Sequence, residues 1–299
     1  MKIELKNICK SFGNKIVLNN ISFSAESGKA LGLLGRNGAG KTTSIRILMG
    51  VFYADSGEVL LDGEPIDRNK LVIGYLPEER GMYAKKEILE QLVYFAELKG
   101  MKKSDARESS MQFLRKLGMD EYAKKKLETL SKGNQQKIQL IATLVSNPDI
   151  IILDEPFSGL DPVNAQMLKN LIKEEQDKGK VVIFSSHQMN YIEEFCENIA
   201  IIKDGSIVLA GNLSDIKRSY ERNKIILECS DIEKVKNSIK YRSEAIKDGL
   251  LIHLEKESQK GDLIKQLAAM EIDINTIKVY EPDLNSIFIE YTEGKNEAV

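Results

Sequence analysis

Cysteine is scarce in this 299-residue sequence: only Cys9, Cys196 and Cys229 occur, and no two form Cys-x-x-C. That excludes a disulfide framework and a cysteine-built zinc site, and it makes the cytosol the expected compartment. A surplus of either charge is missing as well, since 43 Lys and Arg face 45 Asp and Glu for a net charge of −2. No global positive excess exists to hold a nucleic-acid backbone, so no nucleic-acid partner is expected. Long apolar runs are absent. The longest uncharged stretch, Val181–Ile192, has twelve residues, whereas a membrane-crossing helix needs about 20. The opening Met1–Lys6 lacks the apolar stretch of a secretory signal. Hydrophobic residues still reach 42%, which suffices for a core and excludes a wholly disordered chain.

Up to about residue 75 the pattern is short β-like runs separated by turns: Ile3–Leu5, Ile16–Leu18, Ile21–Ala25, Ala30–Leu34 and Glu58–Asp62. From about Lys85 to Ser146 the texture is helical, with Leu89, Leu92, Val93 and Ala96 on one face and Met111, Leu114 and Leu117 on another. Apolar runs then return at Ile150–Leu153 and Val181–Phe184 with a helical stretch between them, the punctuation of a parallel sheet covered on both faces. Ser214–Lys224 is charged and motif-poor, which places a boundary there. Beyond it, strand Lys224–Cys229, helix Asp231–Ser238, strands near Ala245 and at Leu250–Leu254, helix Asp262–Met270 and strand Ile274–Tyr280 give a βαββαβ order, that of a ferredoxin-like sandwich. A last helix is expected from Asp283.

The most informative segment is Gly35-Arg36-Asn37-Gly38-Ala39-Gly40-Lys41-Thr42-Thr43, a match to G-x-x-x-x-G-K-[ST]. Glycines let successive backbone N–H groups curl around phosphate oxygens without interference from a Cβ. The Lys41 ammonium can reach the outer phosphates, the Thr42 hydroxyl can ligate Mg²⁺, and the helix expected at Ser44–Met49 adds its positive end. A chance match arises in roughly one chain of this length in a hundred, and here a buried strand precedes it and a helix follows.

A second constellation is Ile150-Ile151-Ile152-Leu153-Asp154-Glu155-Pro156. Asp154 is placed to hold Mg²⁺ and Glu155 to polarise an attacking water. Alone, such a pair is as often a strand simply ending at an acidic turn. Upstream, Leu130-Ser131-Lys132-Gly133-Asn134 opens a helix; taken alone, Ser131 there is an ordinary N-cap. Downstream come the turn Ser158-Gly159-Leu160-Asp161 and His187, one of only two histidines, just past an expected core strand, where open α/β sheets gather their ligands.

In this order the motifs resemble the nucleotide-binding subunit of ATP-binding cassette (ABC) transporters over about residues 1–215. The resemblance implies an α/β P-loop NTPase core with an antiparallel β subdomain, a helical subdomain at about 84–147 and a small α+β, ferredoxin-like C-terminal domain: residues 1–218 as the ATPase and 219–299 as the accessory part. It implies ATP and Mg²⁺ as cofactors. Phe12 would stack on adenine. Gly35, Asn37, Gly38, Ala39, Gly40, Lys41, Thr42 and Thr43 would hold phosphates, with Thr42, Asp154 and Glu78 at the metal. Glu155 would be the general base, His187 the γ-phosphate contact, and Lys41 the catalytic cation. Ser131 and Gly133 would cap ATP on the opposite subunit, and Asp161 would couple the two sites.

Two departures stand out. The usual Leu-Ser-Gly-Gly-Gln reads Leu130-Ser131-Lys132-Gly133-Asn134, which keeps the serine and second glycine, and Glu78 falls where the family carries Gln. With the C-terminal extension, these variants resemble ATPases of bacterial exporters whose membrane subunits are separate chains, of the sodium-efflux type. The expected partners are a membrane permease and a second, identical ATPase subunit, at the inner face of the cell membrane, with docking near Glu78–Tyr83; Met82, Tyr83, Leu89 and Tyr94 are either an apolar docking rim or, more often for such spacing, simply helix core. The main rival is a non-transport ABC ATPase acting on ribosomes or nucleic acid. Translation-associated members usually carry two cassettes, against one phosphate loop here, and DNA-repair members carry long coiled coils between motifs, whereas Lys41 and Asp154 lie only 113 positions apart. A GTPase would need N-K-x-D, which is absent.

Overall fold

Asparagine decides the shape of the first two strands. β1 (Lys2–Phe12) and β2 (Lys15–Glu26) pair antiparallel from Lys2↔Glu26 to Phe12↔Lys15, with register shifts along the way. Asn7 and Asn20 sit at φ 53° and 54°, a conformation Asn tolerates better than most residues. Bulges therefore absorb the interruptions that the sequence pattern suggests as strand breaks, and Ile16–Leu18 and Ile21–Ala25 are one strand, not two. A computed structural model describes residues 1–79, 81–247 and 249–294; the last five residues of the expected C-terminal domain lie outside the described residues.

The chain divides into two units, one of Met1–Asn212 with the stretch from Tyr291, the other of Leu213–Glu290. In the first, β3 (Ala30–Leu34) is buried along its whole length and runs through the phosphate loop into α1 (Lys41–Leu48). β4 (Ser56–Leu61) and β5 (Glu64–Pro65) complete an antiparallel sheet of order β2-β1-β4-β5. β6 (Ile73–Leu76) then leads to the helices α2 (Ile88–Leu98), α3 (Lys103–Lys116) and α4 (Lys132–Leu144). Leu92, Ala96 and Leu114 are fully buried between them, as their spacing predicts.

The core sheet adds β7 (Ile150–Asp154), α5 (Pro162–Asp177), β8 (Val181–Ser185), α6 (Met189–Phe195), β9 (Asn198–Lys203) and β10 (Ser206–Asn212). Its order is β10-β9-β3-β8-β7-β6. All neighbours are parallel except β10 against β9. Every residue of β3, β7 and β8 is buried, which is why these strands read as unbroken apolar runs. Because β3, β8 and β7 are adjacent and parallel, residues 35–43, 154–155 and 185–187 emerge at one edge.

The β9–β10 hairpin turns on Asp204 and Gly205, both at positive φ (47° and 77°), a two-residue turn that favours Asp-Gly. Its backbone also joins distant segments: Gly205 N–H donates to Ala39 O at 3.1 Å, and Asn19 N–H donates to Gly205 O at 2.7 Å.

In the second unit, α7 (Leu213–Ser219) lies in the segment the charge pattern marks as a boundary, and folds as a helix. β11 (Lys224–Cys229), α8 (Ile232–Ser238), β12 (Arg242–Ile246), β13 (Gly249–His253), α9 (Lys260–Ala268) and β14 (Ile274–Val279) follow, and α10 (Leu284–Glu293) begins in this unit and runs past its end at Glu290. The sheet, antiparallel with order β12-β13-β11-β14, is the ferredoxin-like arrangement. Alternate residues Ile225, Leu227, Leu250 and Ile252 share a core with Val235, Leu263 and Leu267.

Candidate active site

The phosphate loop is shaped by close backbone packing. Gly40 has φ 116°, and a Cβ there would lie 2.5 Å from Leu18 Cδ2 and 3.1 Å from Val17 O, so no other residue fits without moving β2. Gly35 and Ala39 are buried, whereas Asn37 and Gly38 are exposed at the loop's crest. The Lys41 ammonium donates to Gly35 O at 2.6 Å and Arg36 O at 3.3 Å, and so lies across the cradle that the loop encloses. Thr42 is exposed and Thr43 half-buried at the first turn of α1.

Opposite Lys41 stand three carboxylates. Burial pushes the Asp154 carboxyl up from its usual range, and the neighbouring Glu78 and Glu155 add to the rise. Burial lowers the Lys41 ammonium, against the pull of Asp154, Glu155 and Glu78. Glu78, which takes the place of a glutamine, is therefore within electrostatic reach of both. Tyr75, on β6, was not singled out by sequence; its phenol is pushed up to about 12 by burial and by Asp154.

Glu155 turns the chain out of β7 in a left-handed conformation, φ 50°, which few non-glycine residues adopt and which gathers at functional sites. Its N–H donates to Ser185 O at 2.8 Å. Its carboxylate Oε1 accepts from the His187 N–H at 2.7 Å and lies 2.6 Å from His187 Nδ1. The carboxylate is an acceptor, so Nδ1 carries the proton in this pair. His187 keeps 69% of its side chain exposed while Glu155 is 7% exposed.

Phe12 closes β1. Its ring meets Phe52 edge-on at 5.3 Å, and Lys10, tied to Asp55 at 2.7 Å, lies 5.4 Å from its centre. Nearly half of Phe12 is exposed.

Ser131, Gly133 and Asp161 form a second group on α4 and α5. Ser131 is the N-cap of α4, accepting from the Asn134 N–H at 3.3 Å, and it is exposed. Asp161 caps α5 through the Asn164 N–H at 2.9 Å, and a Cβ on Gly133 would lie 3.5 Å from Asn164 Nδ2. Among the described residues the hydrogen bonds of Ser131 and Asp161 stay within their own helices. Gln136, which the sequence reading passed over, ties α4 to the turn after Glu155 by donating to Pro156 O at 3.1 Å.

Comparison with known proteins bears on this geometry. Residues 18–158 match the ABC transporter family, and residues 211–292 match the family described as the C-terminal domain of DrrA1-3-like ATP-binding proteins. An uncharacterised ABC transporter ATP-binding protein of Bacillus subtilis, YhaQ, is 37% identical over 96% of this chain and 97% of its own length. The chain belongs to the ABC transporter ATP-binding protein family. The linearmycin resistance ATP-binding protein LnrL of the same organism is 30% identical, over 97% of this chain and 98% of its own. A solved ATP-binding subunit of an ABC transporter superposes with TM-score 0.67 and 26% identity, covering 73% of this chain and 92% of that one. The dimeric structure of MJ0796, a bacterial ABC transporter cassette, gives 0.63 at 25% identity over 71% and 98%.

As an ABC ATPase, this protein binds ATP and couples its hydrolysis to transport. Among the described residues no helix is long and apolar enough to cross a membrane.

Proposed function

We propose that this ABC ATPase powers export through a separately encoded membrane permease, working at the inner face of the cell membrane as one half of a head-to-tail homodimer. The observation that carries the dimer is the split of the motifs into two groups. Lys41, Asp154, Glu155 and His187 face one another, whereas Ser131 stands exposed at the head of a 13-residue helix. Its cap bond uses a lone pair and leaves the hydroxyl hydrogen for an outside acceptor. A triphosphate held by a facing copy supplies that acceptor, and Gly133 leaves room for it. Asp161, beside Gly133, would relay the state of one site to the other. Export is supported by the name of the linearmycin-resistance relative.

Within each protomer the loop amides of residues 35–43 and Lys41 would hold the phosphates, and the exposed ring of Phe12 would stack on adenine. The Thr42 hydroxyl with the Asp154 and Glu78 carboxylates is an oxygen-only donor set. So few protein oxygens suit Mg²⁺, which keeps water and phosphate among its ligands. Bound there, Mg²⁺ would offset the charge of the outer phosphates. Glu155 would take the proton of the attacking water, and His187 would contact the γ-phosphate. Residues 1–218 would form the motor and 219–299 an accessory domain.

A cavity of about 280 Å³ beside β6, lined by Tyr75, Pro77, Met82, Phe95, Leu98 and Gln139 among others, supports permease docking near Glu78–Tyr83. Tyr83 and Tyr94 are exposed there, but Leu89 is 6% exposed and belongs to the core of the helical subdomain, not to the rim.

Glu155→Gln tests the reading. Hydrolysis is expected to fall by roughly 10²–10⁴ while ATP traps a dimer visible by size-exclusion chromatography with light scattering. A variant that hydrolyses ATP at the parental rate removes Glu155 as the base.

A further inference from the structure

Each oxygen of a carboxylate offers two lone-pair sites. On Glu155, Oε1 has both occupied, by the His187 N–H and by Nδ1. Oε2 has one occupied, by the hydroxyl of Ser186 at 2.9 Å. The direction of that last bond is fixed. Ser186 Oγ itself accepts the Gln188 N–H at 3.1 Å, which uses a serine lone pair and turns the hydroxyl hydrogen toward Glu155. Ser186 is 3% exposed, so water has little access to replace it from behind. Among the described residues one lone pair of the carboxylate is left over, on Oε2.

Neighbouring serines thus serve neighbouring carboxylates. Ser185 is the register partner of Asp154, and Ser186, one residue on, bonds Glu155. We propose that Ser186 is a positioning residue for ATP hydrolysis: by binding one side of Glu155 Oε2, its hydroxyl sets which lone pair receives the proton of the attacking water. The water oxygen forms its bond to the γ-phosphorus as the bond from phosphorus to the β–γ bridging oxygen breaks. ADP leaves, and the water proton rests on Oε2 before passing to phosphate. The inference depends on Glu155 being the base.

The test compares Ser186→Ala, Ser186→Thr, Ser186→Cys, Glu155→Gln and the double variant Glu155→Gln/Ser186→Ala, each in the full chain, by steady-state and single-turnover hydrolysis, ATP binding and thermal unfolding. Ser186→Ala is expected to lower kcat about tenfold, the scale of one hydrogen bond to a charged group, with KM and ATP affinity unchanged. Ser186→Thr should recover at least half of the rate and Ser186→Cys less, so the series is readable even if the alanine variant folds poorly. With Glu155 already replaced, removing Ser186 should cost nothing further. Parental kcat in Ser186→Ala overturns the proposal. So does an equal tenfold loss in both backgrounds, or a folded Ser186→Thr as slow as alanine. If Glu155→Gln itself keeps the parental rate, the base assignment falls and takes this inference with it. An inactive Glu155→Gln beside a fully active Ser186→Ala sinks only the role of Ser186.

Discussion

Asp154 is a carboxylate held against its preference for water. Burial raises its folded-state pKa above the unfolded value, so ionisation costs stability. The contribution is favourable below the unfolded pKa and is lost as pH rises through the folded one. Asp154→Asn is therefore expected to raise the thermal midpoint at pH 7, with the gain shrinking to nothing as pH falls toward 4; a midpoint unchanged or lower at neutral pH contradicts this. On the proposed reading the same variant would also lose a ligand to Mg²⁺, a trade of stability for activity common at active sites. That Lys41, Asp154 and Glu155 come together was legible in the sequence, because the motifs that carry them have fixed spacing and end adjacent parallel strands. Ser186 was not, because its importance lies in which way a hydroxyl hydrogen points, and that follows from the Gln188 N–H and not from any pattern of residue types. Tyr75 and Gln136 were hidden for a related reason: the partners that matter, Asp154 and Pro156 O, are 79 and 20 positions away.

At the level of single elements, α4 separates two jobs of one serine. Ser131 caps the helix, a role worth about 1 kcal/mol when lost to alanine, and it is exposed, as the proposed contact with a facing copy's nucleotide requires. Asp caps as well as Ser but presents a negative charge to a triphosphate. Ser131→Asp should therefore leave stability within roughly 0.5 kcal/mol of the parent while abolishing ATP-dependent dimerisation. If denaturant midpoints and dimerisation both stay parental, Ser131 does not reach nucleotide. Strands buried on both faces, such as β7 and β8, announced themselves as apolar runs. The long bulged pair β1–β2 did not, since polar Asn7 and Asn20 interrupt its alternation. The β9–β10 hairpin carried an Asp-Gly signal between Ile199–Ile202 and Ile207–Leu209 that a turn-based reading would have found.

For the molecule as a whole, each unit has its own core. Leu227 is fully buried among Ile225, Ile252 and Leu263 in the second unit. Leu227→Ala is expected to destabilise that unit by about 2–5 kcal/mol. Calorimetry should then show one transition moving to lower temperature while the other, and basal ATP hydrolysis, stay in place; a single transition shifting as one rejects independent units. The first unit has a different kind of security. The rivet that fastens the floor of the nucleotide cradle is made at Ala39, Asn19 and Gly205 from amides and carbonyls alone. Exchanging the exposed side chain at 19 leaves those bonds standing, so drift in the genetic message can rewrite that position without unpicking the seam, whereas Ala39 is itself buried in the core. Position 205 enjoys no such licence, for the first carbon of any side chain there would be driven to 2.6 Å from Val17 O, prising β2 away from the loop it braces.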